Sequence, residues 1–515
     1  MNPFVTPWLS HGRLKAGALL LAGLGLSAPA WAQSRPAAPP AAAVPQAAPA
    51  GPWTLQQAVD YAVQNNLQVR QSQLQAELSE ATYRQSRMSQ LPTANAAASQ
   101  SWNYGTNVDP LTFTFQNQTT RANNFSASGQ LNLFSGFQVR NSIKRNALDY
   151  EASLLDIEQA RNDLSLTVAS AYLQLLLGEE LVRTNELRIN SAKQQIERTQ
   201  KLLRAGSVPE SNLADARAQL ATDELNLVTA QNQRDLARLQ LVQALNLEAA
   251  RASDFAIAVP NLPDPDDEPS LDGDVASTFE AAQTTQPQVK AADLRVRSAQ
   301  RSQEVSRGAY YPRLTFGASI FSGYSSARNA RVLGRDSVLR PTGFIYQLNP
   351  ATGQPQLVPG LFAGIRQPNF ETLPEGFGSQ VRNNLGKQLS FNLNIPILNG
   401  WQARTNVQRS VIGVKQAELR AAQTRLQLRQ TIQQAYADAL AAQRRYAANK
   451  RQVEALGTAY RNAEIRFNNG LMNGTDFNIA KNNLTAAESG MIQAKYEFIF
   501  RRKVLDFYQG KPLTL

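Results

Sequence analysis

The sequence predicts an α+β membrane protein with an internal duplication. Long antiparallel coiled-coil helices would form the wall of an α-barrel tunnel. They join a transmembrane β-barrel to which each chain gives four strands. The first observation is a repeat at an offset of 264 residues. Gly136 closes the run LNLFSG and Gly400 closes NIPILNG, and seventy residues further on stand Gly206 and Gly470, with no proline inside either interval. A helix filling such an interval runs roughly 100 Å at about 1.5 Å per residue, too long for an ordinary globular domain. The second observation is that alternating strand-like segments precede each rod. The third is that the mature chain has neither cysteine nor histidine, since the only histidine, His11, lies in the leader.

Residues 1–32 read as a secretory signal. Arg13 and Lys15 give the positive start, Ala16 to Leu26 the short apolar core, and Ala30-Trp31-Ala32 the small-x-small cleavage site. The apolar run is too short to span a bilayer comfortably. Residues 33–52 (RPAAPPAAAVPQAAPAGP from residue 35) form an Ala/Pro-rich tether without a core of their own. The first repeat follows at 53–259, a linker at 260–274, and the second repeat at 275–510.

Within repeat one, 54–90 has helical periodicity. Thr54 can cap it, Leu55, Ala58, Val59, Ala62 and Val63 make its early apolar stripe, and Pro92 stops it. Strands are expected at 94–104 and 125–133, joined by a polar stretch. Repeat two copies the order, with a helix at 275–309 ended by Pro312 and a strand carrying Leu314, Phe316, Ala318 and Ile320 on one face. A long extracellular loop is expected at about 325–386. The last strand places Leu389, Phe391, Leu393, Ile395 and Ile397 on one face. From Pro92 to Gly136 is 44 residues and from Pro312 to Gly400 is 88. The extra length falls in that loop, where insertions cost least.

The rods carry a 4-3 seam over nine heptads, from Ile143, Ala147 and Tyr150 through Val168, Ala171, Leu175, Gly178 and Val182 to Leu203. Adding 264 gives the second rod, and its polar interruptions coincide too: Arg161 with Arg425 and Asn185 with Asn449. The many small seam residues suit staves that touch a neighbour on each side better than a two-stranded coiled coil. Each rod turns at its glycine, in AGSVPESNLADARAQL and NGLMNGTDFNIAKNNL. Gly206 and Gly470 suit helix C-termini, and Ser211 and Thr475 are the expected caps of the returning helices 213–247 and 476–507. The 35-residue helices 213–247 and 275–309 together match one rod, so they are expected end to end beside it, with the linker PNLPDPDDEP outside at mid-height.

The formal net charge is +12, or +10 once Arg13 and Lys15 leave with the signal. The basic residues are spread along helices among Gln, Asn and Glu, which argues for solvated faces and against nucleic acid. Without His or Cys, Ser-His-Asp and Cys-His systems and the common zinc sites are excluded, and no cofactor or metal is expected. No phosphate-binding glycine motif is present. Four strands cannot close a barrel with a lumen, but three chains supply twelve, an even number suited to the outer membrane.

These features together resemble the TolC-like outer-membrane efflux channel family. The resemblance covers about 53–510. It rests on the duplicated helix-strand-strand-helix-turn-helix order, on LNLFSGFQ and LNIPILNGWQ leading into the rods, and on RFNNGLMNGTDFNIAKNNLTAAE at the second turn. It implies a homotrimer in the outer membrane, reaching into the periplasm as a twelve-helix tunnel. The duct is then a passive, non-enzymatic conduit of a tripartite efflux or secretion system, docked to a periplasmic adaptor (membrane fusion) protein and an inner-membrane pump. The tips that meet the adaptor would be Gly206, Ser207 and Val208 with Gly470, Leu471 and Met472. Family members often place an aspartate ring at the periplasmic constriction. Asp476 matches that position, its counterpart in repeat one is Asn212, and Asp215 lies one turn further on. Pro209 departs from the usual turn and can fix the tip conformation.

Two other readings compete. A periplasmic coiled-coil adaptor would need one hairpin, with lipoyl-like and β-barrel modules around it. A carboxylate-dependent hydrolase would need paired acids in a pocket, for which no spacing motif speaks.

Overall fold

The computed structural model describes residues 51–108, 115–117, 119–247, 255–260, 265 and 275–511. The expected signal, nearly all of the tether and most of the linker lie outside these residues. Helix α1 (Leu55–Asn65) opens with a reciprocal capping box, Gln57 N–H donating to Thr54 Oγ1 at 3.3 Å and Thr54 N–H to Gln57 Oε1 at 3.0 Å. The helix expected over 54–90 is in fact two. Asn66 adopts an extended conformation and caps α2 (Leu67–Met88) through a 2.8 Å bond from the Gln68 N–H. The same break recurs 220 residues later. Helix α5 (Val275–Thr285) stops before Gln286, and Pro287, which has no N–H to give the preceding turn, starts α6 (Pro287–Arg307). A 3₁₀ turn (Gly308–Tyr310) completes it.

Strands β1 (Thr93–Asn103), β4 (Thr120–Ser135), β5 (Arg313–Ser325) and β8 (Gly386–Asn394) form one antiparallel sheet in the order β1-β4-β5-β8. The four strands expected per chain are these. Direct partners share a face, so the register sorts the residues. Ala94, Gly129, Ala318 and Leu389 lie across one row, and Leu131, Phe316 and Phe391 across another. The opposite face carries Asn95, Ser128, Ser319 and Gln388, then Asn132, Thr315 and Asn392. In these rows one face is apolar and the other is hydroxyls and amides; toward the far end Phe321 and Lys387 break the pattern. On β8, Leu389 and Phe391 are 74% and 69% exposed. The last strand ends at Asn394, three residues sooner than its alternation suggests, because Pro396 cannot donate to a ladder.

The stretch expected as a loop at 325–386 is instead a two-stranded ribbon, β6 (Asn329–Leu348) with β7 (Pro355–Pro374), followed by the short helix α7 (Phe377–Asn383). Its glycines and prolines sit at register shifts and at the turn, where they tolerate pairing. Repeat one has a miniature of it, β2 (Thr106–Val108) with β3 (Phe115–Asn117).

The rods are α3 (Gln138–Arg204) and α8 (Gln402–Asn468), each 67 residues and offset by 264 at both ends. Both start after two consecutive left-handed residues, Gly136-Phe137 (φ 60° and 61°) and Gly400-Trp401 (φ 59° and 65°). Below the midpoint of α3 the expected seam is buried, through Val168, Ala171, Leu175, Gly178, Val182, Asn185, Ile189, Ala192 and Thr199. Above it the seam fails. Ala152 and Ser153 are buried there, while Leu154 is 41% exposed. The reason is packing on two sides: α2 and α6 both lie along upper α3, and α6 also lies against α8. Arg425, an expected polar interruption of the second seam, pairs with Asp293 of α6, and Arg295 of α6 pairs with Asp156 of α3.

The returning helices are α4 (Glu210–Leu245) and α9 (Gly474–Tyr508), packed on α3 and α8 respectively. The end-to-end pairing differs from the expected one. Helix α4 is continued by α1 and α2, since Asn66 Nδ2 donates to Ala244 O at 3.3 Å, and α5 lies against α9. Each repeat therefore completes its own stave with its own N-terminal helices. Helices α3 and α4 are in close approach at Gly178, where a Cβ would stand 2.9 Å from Arg234 Cα.

At mid-rod the chain entering α1 and the segment leaving α4 are clasped together. Trp53 bridges Ile257 in parallel, donating to Ala256 O at 2.9 Å and accepting from the Ala258 N–H at 2.8 Å. The Tyr172 hydroxyl of α3, buried beneath, lies 2.9 Å from Trp53 O and 2.7 Å from Ala258 O, and its one proton serves both acceptors. Burial pushes this phenol up to about 12 from its ordinary 10. A raised acid favours the protonated folded state. Its contribution is therefore complete below pH about 10 and lost as pH climbs toward 12. We expect Tyr172→Phe to flatten the fall in stability across that alkaline window, and to cost about 0.5–1.5 kcal/mol at neutral pH by removing the hydroxyl's hydrogen bond. Chemical denaturation at stepped pH reads both.

Candidate functional site

The end of the rods away from the sheet is built from two matching turns. In the first, Ala205 ends α3, Gly206 takes φ 73°, and the Ser207 N–H donates to Leu202 O at 2.9 Å while the Gly206 N–H donates to Leu203 O at 2.9 Å. In the second, Asn469 precedes Gly470 (φ 75°), the Leu471 N–H donates to Arg466 O at 2.8 Å and the Gly470 N–H to Phe467 O at 3.0 Å. Both are Schellman closures, which satisfy the last carbonyls of a helix and need a left-handed residue. Nothing lies near a Cβ added to either glycine, so the requirement is conformational. Gly206, Ser207, Gly470 and Leu471 are exposed, and Val208 and Met472 are half-buried.

The expected caps Ser211 and Thr475 are not the caps. Pro209 holds the N-cap position of α4 with no side-chain bond, and Asn473 caps α9 by accepting from the Asp476 N–H at 2.7 Å. Asn reaches the free N–H groups from just outside the helix, as a residue already inside the first turn does not. The returning helices meet at their starts. Thr475 Oγ1 donates to Asp215 Oδ2 at 3.5 Å, and a Cβ on Gly474 would stand 3.3 Å from Asp215 Oδ2 and 3.6 Å from Asn212 Oδ1. Asn212 and Asp215 are thus gathered against the first turn of α9, whose next residue, Asp476, is exposed. The second tip also carries an aromatic cluster. Phe477 stacks on Phe467 at 4.6 Å and tilts against Tyr460 at 5.6 Å, where the first tip has Leu213, Leu203 and Ile196 at equivalent positions.

Above the tips, polar ties absent from the sequence reading join the repeats. Gln219 and Asn482 exchange amide bonds of 2.8 and 3.0 Å between α4 and α9. Gln219 also donates to the buried Asp223 at 3.0 Å, with Lys481 Nζ 3.9 Å from the other oxygen. Arg188 of α3 donates to Thr485 O at 2.9 Å and Ser489 Oγ at 3.1 Å, and pairs with Glu488 at 3.3 Å. In sequence these residues look like the solvated face of a helix; only the partner element distinguishes them. Among the described residues no group of three or more potential metal ligands comes together, and no helix is long and apolar enough to cross a membrane.

Paired rods of 67 residues, closed by glycine turns at one end and carrying strands with an apolar face at the other, are the architecture of a channel-forming protein of the outer-membrane type. The chain belongs to the outer membrane efflux protein family, whose sequence profile matches residues 58–247 and 279–503. That family is one of efflux proteins and not of enzymes. A curated relative, the pyoverdine export outer membrane protein OpmQ of Pseudomonas putida, is 27% identical over 203 residues, 39% of this chain and 41% of that protein. The match thus spans well under half of that relative. The fold is that of the outer membrane protein VceC from Vibrio cholerae (TM-score 0.68, 14% identity, 89% of this chain and 97% of that one). It is equally that of the Campylobacter jejuni CmeC outer membrane channel (TM-score 0.66, 18% identity, 90% and 87%). The TolC-like α+β architecture expected from the sequence is the one found.

Proposed function

We propose that three copies of this chain form a passive exit duct of a tripartite efflux or secretion system, spanning the outer membrane and reaching through the periplasm to an adaptor protein and an inner-membrane pump. The observation that carries this is the sheet. It has one apolar and one polar face and two open edges, β1 and β8. Open edges are an aggregation hazard unless another chain pairs with them. Pairing β8 of one copy with β1 of the next would close twelve strands, apolar face to lipid and polar face to a water-filled lumen. The ribbons β2–β3 and β6–β7 then project outside the cell.

In this reading the tips Gly206, Ser207 and Val208 with Gly470, Leu471 and Met472 dock the adaptor. Asp476 lines the constriction with Asn212 and Asp215, and the residues at 1–32 serve as the export signal. The export role in the name of the Pseudomonas putida relative supports the same direction. A single-hairpin adaptor does not fit a chain with two hairpins and four membrane-type strands. The test is reconstitution of the mature chain in planar bilayers, together with its mass in detergent. Trimer mass with discrete conductance steps is expected. A monomer that inserts nowhere would end the proposal.

A further inference from the structure

Where the sheet meets the rods, the side chains change character in a fixed order. The apolar face ends at Phe134, Leu314 and Leu393, which lie across one row of the register. Phe137 follows, its ring 5.3 Å from Phe134 and 6.4 Å from Tyr311, so it continues that face. Trp401 is its counterpart in repeat two and is 66% exposed. One turn further down the rods stand Arg140 and Arg404, both exposed, with the Arg404 guanidinium 4.3 Å from the centre of the Trp401 ring.

An apolar band, then aromatic rings that include Trp401 and Tyr311, then cations is the profile of a bilayer interface. The arginines are also in an unfavourable place for the helices themselves. The first turns of α3 and α8 contain no acid, although a helix N-terminus is stabilised by negative charge and opposed by positive. Both repeats nonetheless carry arginine at the third helical position and again at the eighth, as Arg145 and Arg409. A local rule broken identically in both copies calls for a compensating partner. Both acids of α6 are engaged elsewhere, Glu304 with Arg307 at 3.1 Å and Asp293 with Arg425.

We propose that Arg404, over the Trp401 ring, and its repeat-one counterpart Arg140, three residues after Phe137, form an anionic phospholipid headgroup site in the periplasmic leaflet. The ligand is the phosphodiester of a glycerophospholipid bearing net negative charge. Guanidinium matches phosphate oxygens in bidentate geometry, and the adjoining Phe137 or Trp401 ring rests at the glycerol level. The site fixes how deep the duct sits. This rests on the barrel reading of the sheet.

The test is competitive lipid capture by the full mature chain in nanodiscs of phosphatidylcholine with one-fifth phosphatidylglycerol, read by native mass spectrometry. Wild type is expected to retain phosphatidylglycerol roughly fivefold above its bulk share, the factor that about 1 kcal/mol per basic residue implies. Arg140→Gln/Arg404→Gln should bring retention to the bulk share, and Arg140→Lys/Arg404→Lys should keep most of it. Equal retention by wild type and the glutamine variant overturns the site. So does loss of the preference in 10 mM inorganic phosphate, which would mark a free-anion site. Failure of wild type to enter nanodiscs would overturn the barrel reading and this inference together, whereas entry without lipid preference overturns this inference alone.

Discussion

Gly136→Ala is expected to destabilise the fold by on the order of 4 kcal/mol or more, while Gly400→Ala, at the matching place in repeat two, costs only about 1–2 kcal/mol. The backbone is the same at both, φ 60° and 59°, and a left-handed residue with a Cβ pays that smaller amount from sterics alone. The surroundings differ. A Cβ at 136 would stand 2.4 Å from Gly308 O and 2.9 Å from Tyr311 Cβ, and at 400 nothing lies within 4 Å. The Gly308 carbonyl is backbone and cannot swing away, because Gly308 is itself wedged against Gln138, whose Nε2 donates to Val305 O at 3.2 Å. Relief would require prying α6 from the start of α3, a loss on the order of 4 kcal/mol or more. Urea midpoints of the two variants check the contrast. The repeat adds a further outcome. Gly136 of repeat one abuts Gly308, and the residue 220 earlier than Gly308 is Met88, at the exposed end of α2. In a closed trimer the neighbour's equivalent segment is the natural occupant of the space beside Gly400. A Gly400→Ala chain that folds normally but no longer assembles would point to that packing.

This contrast also shows which level of organisation the sequence exposes. The equality of the rods, the turn glycines and the four strands were legible, because each depends on local chemistry: glycine at positive φ, period two, period 3.5, the absence of proline. The helix breaks at Asn66 and Gln286 were less visible, since Asn66 departs from helix for one residue only and Pro287 is as welcome at a helix start as it is hostile inside one. The ribbon β6–β7 was hidden by its glycines and prolines, which turn out to occupy register shifts. Pairing across distance was not legible at all. Nothing local tells that α4 is prolonged by α1 and α2, that Arg188 reaches Thr485, or that Gln219 and Asn482 exchange amides. At the tips, the residues named for docking and constriction come from position within a repeat, and the structure adds that Asn212 and Asp215 stand against the turn leading into Asp476.

Asp476→Asn is the second expected large effect, and it separates two roles that one carboxylate could play. As the acid in the first turn of α9, Asp476 favours the helix through the macrodipole, worth about 0.3–1 kcal/mol. As one of three symmetry-related carboxylates around a pore, it would enrich cations and deplete anions there. The first role predicts a small fall in thermal stability and no change in ion preference. The second predicts a change in the ratio of cation to anion permeability with stability nearly intact, since the cap is supplied by Asn473 and survives the substitution. A unit charge at about 4 Å in water is worth about 1 kcal/mol, so removing the ring should lower the cation preference by roughly fivefold at low salt and by much less in 1 M salt. Asn212→Asp should act oppositely, because it places a new carboxylate beside Asp215 and Gly474 on the same level. Reversal potentials under a salt gradient measure both. If Asp476→Asn leaves the reversal potential unchanged while Asn212→Asp shifts it, the constriction is set by the first repeat's returning helix, and Asp476 acts only as the first-turn acid of α9.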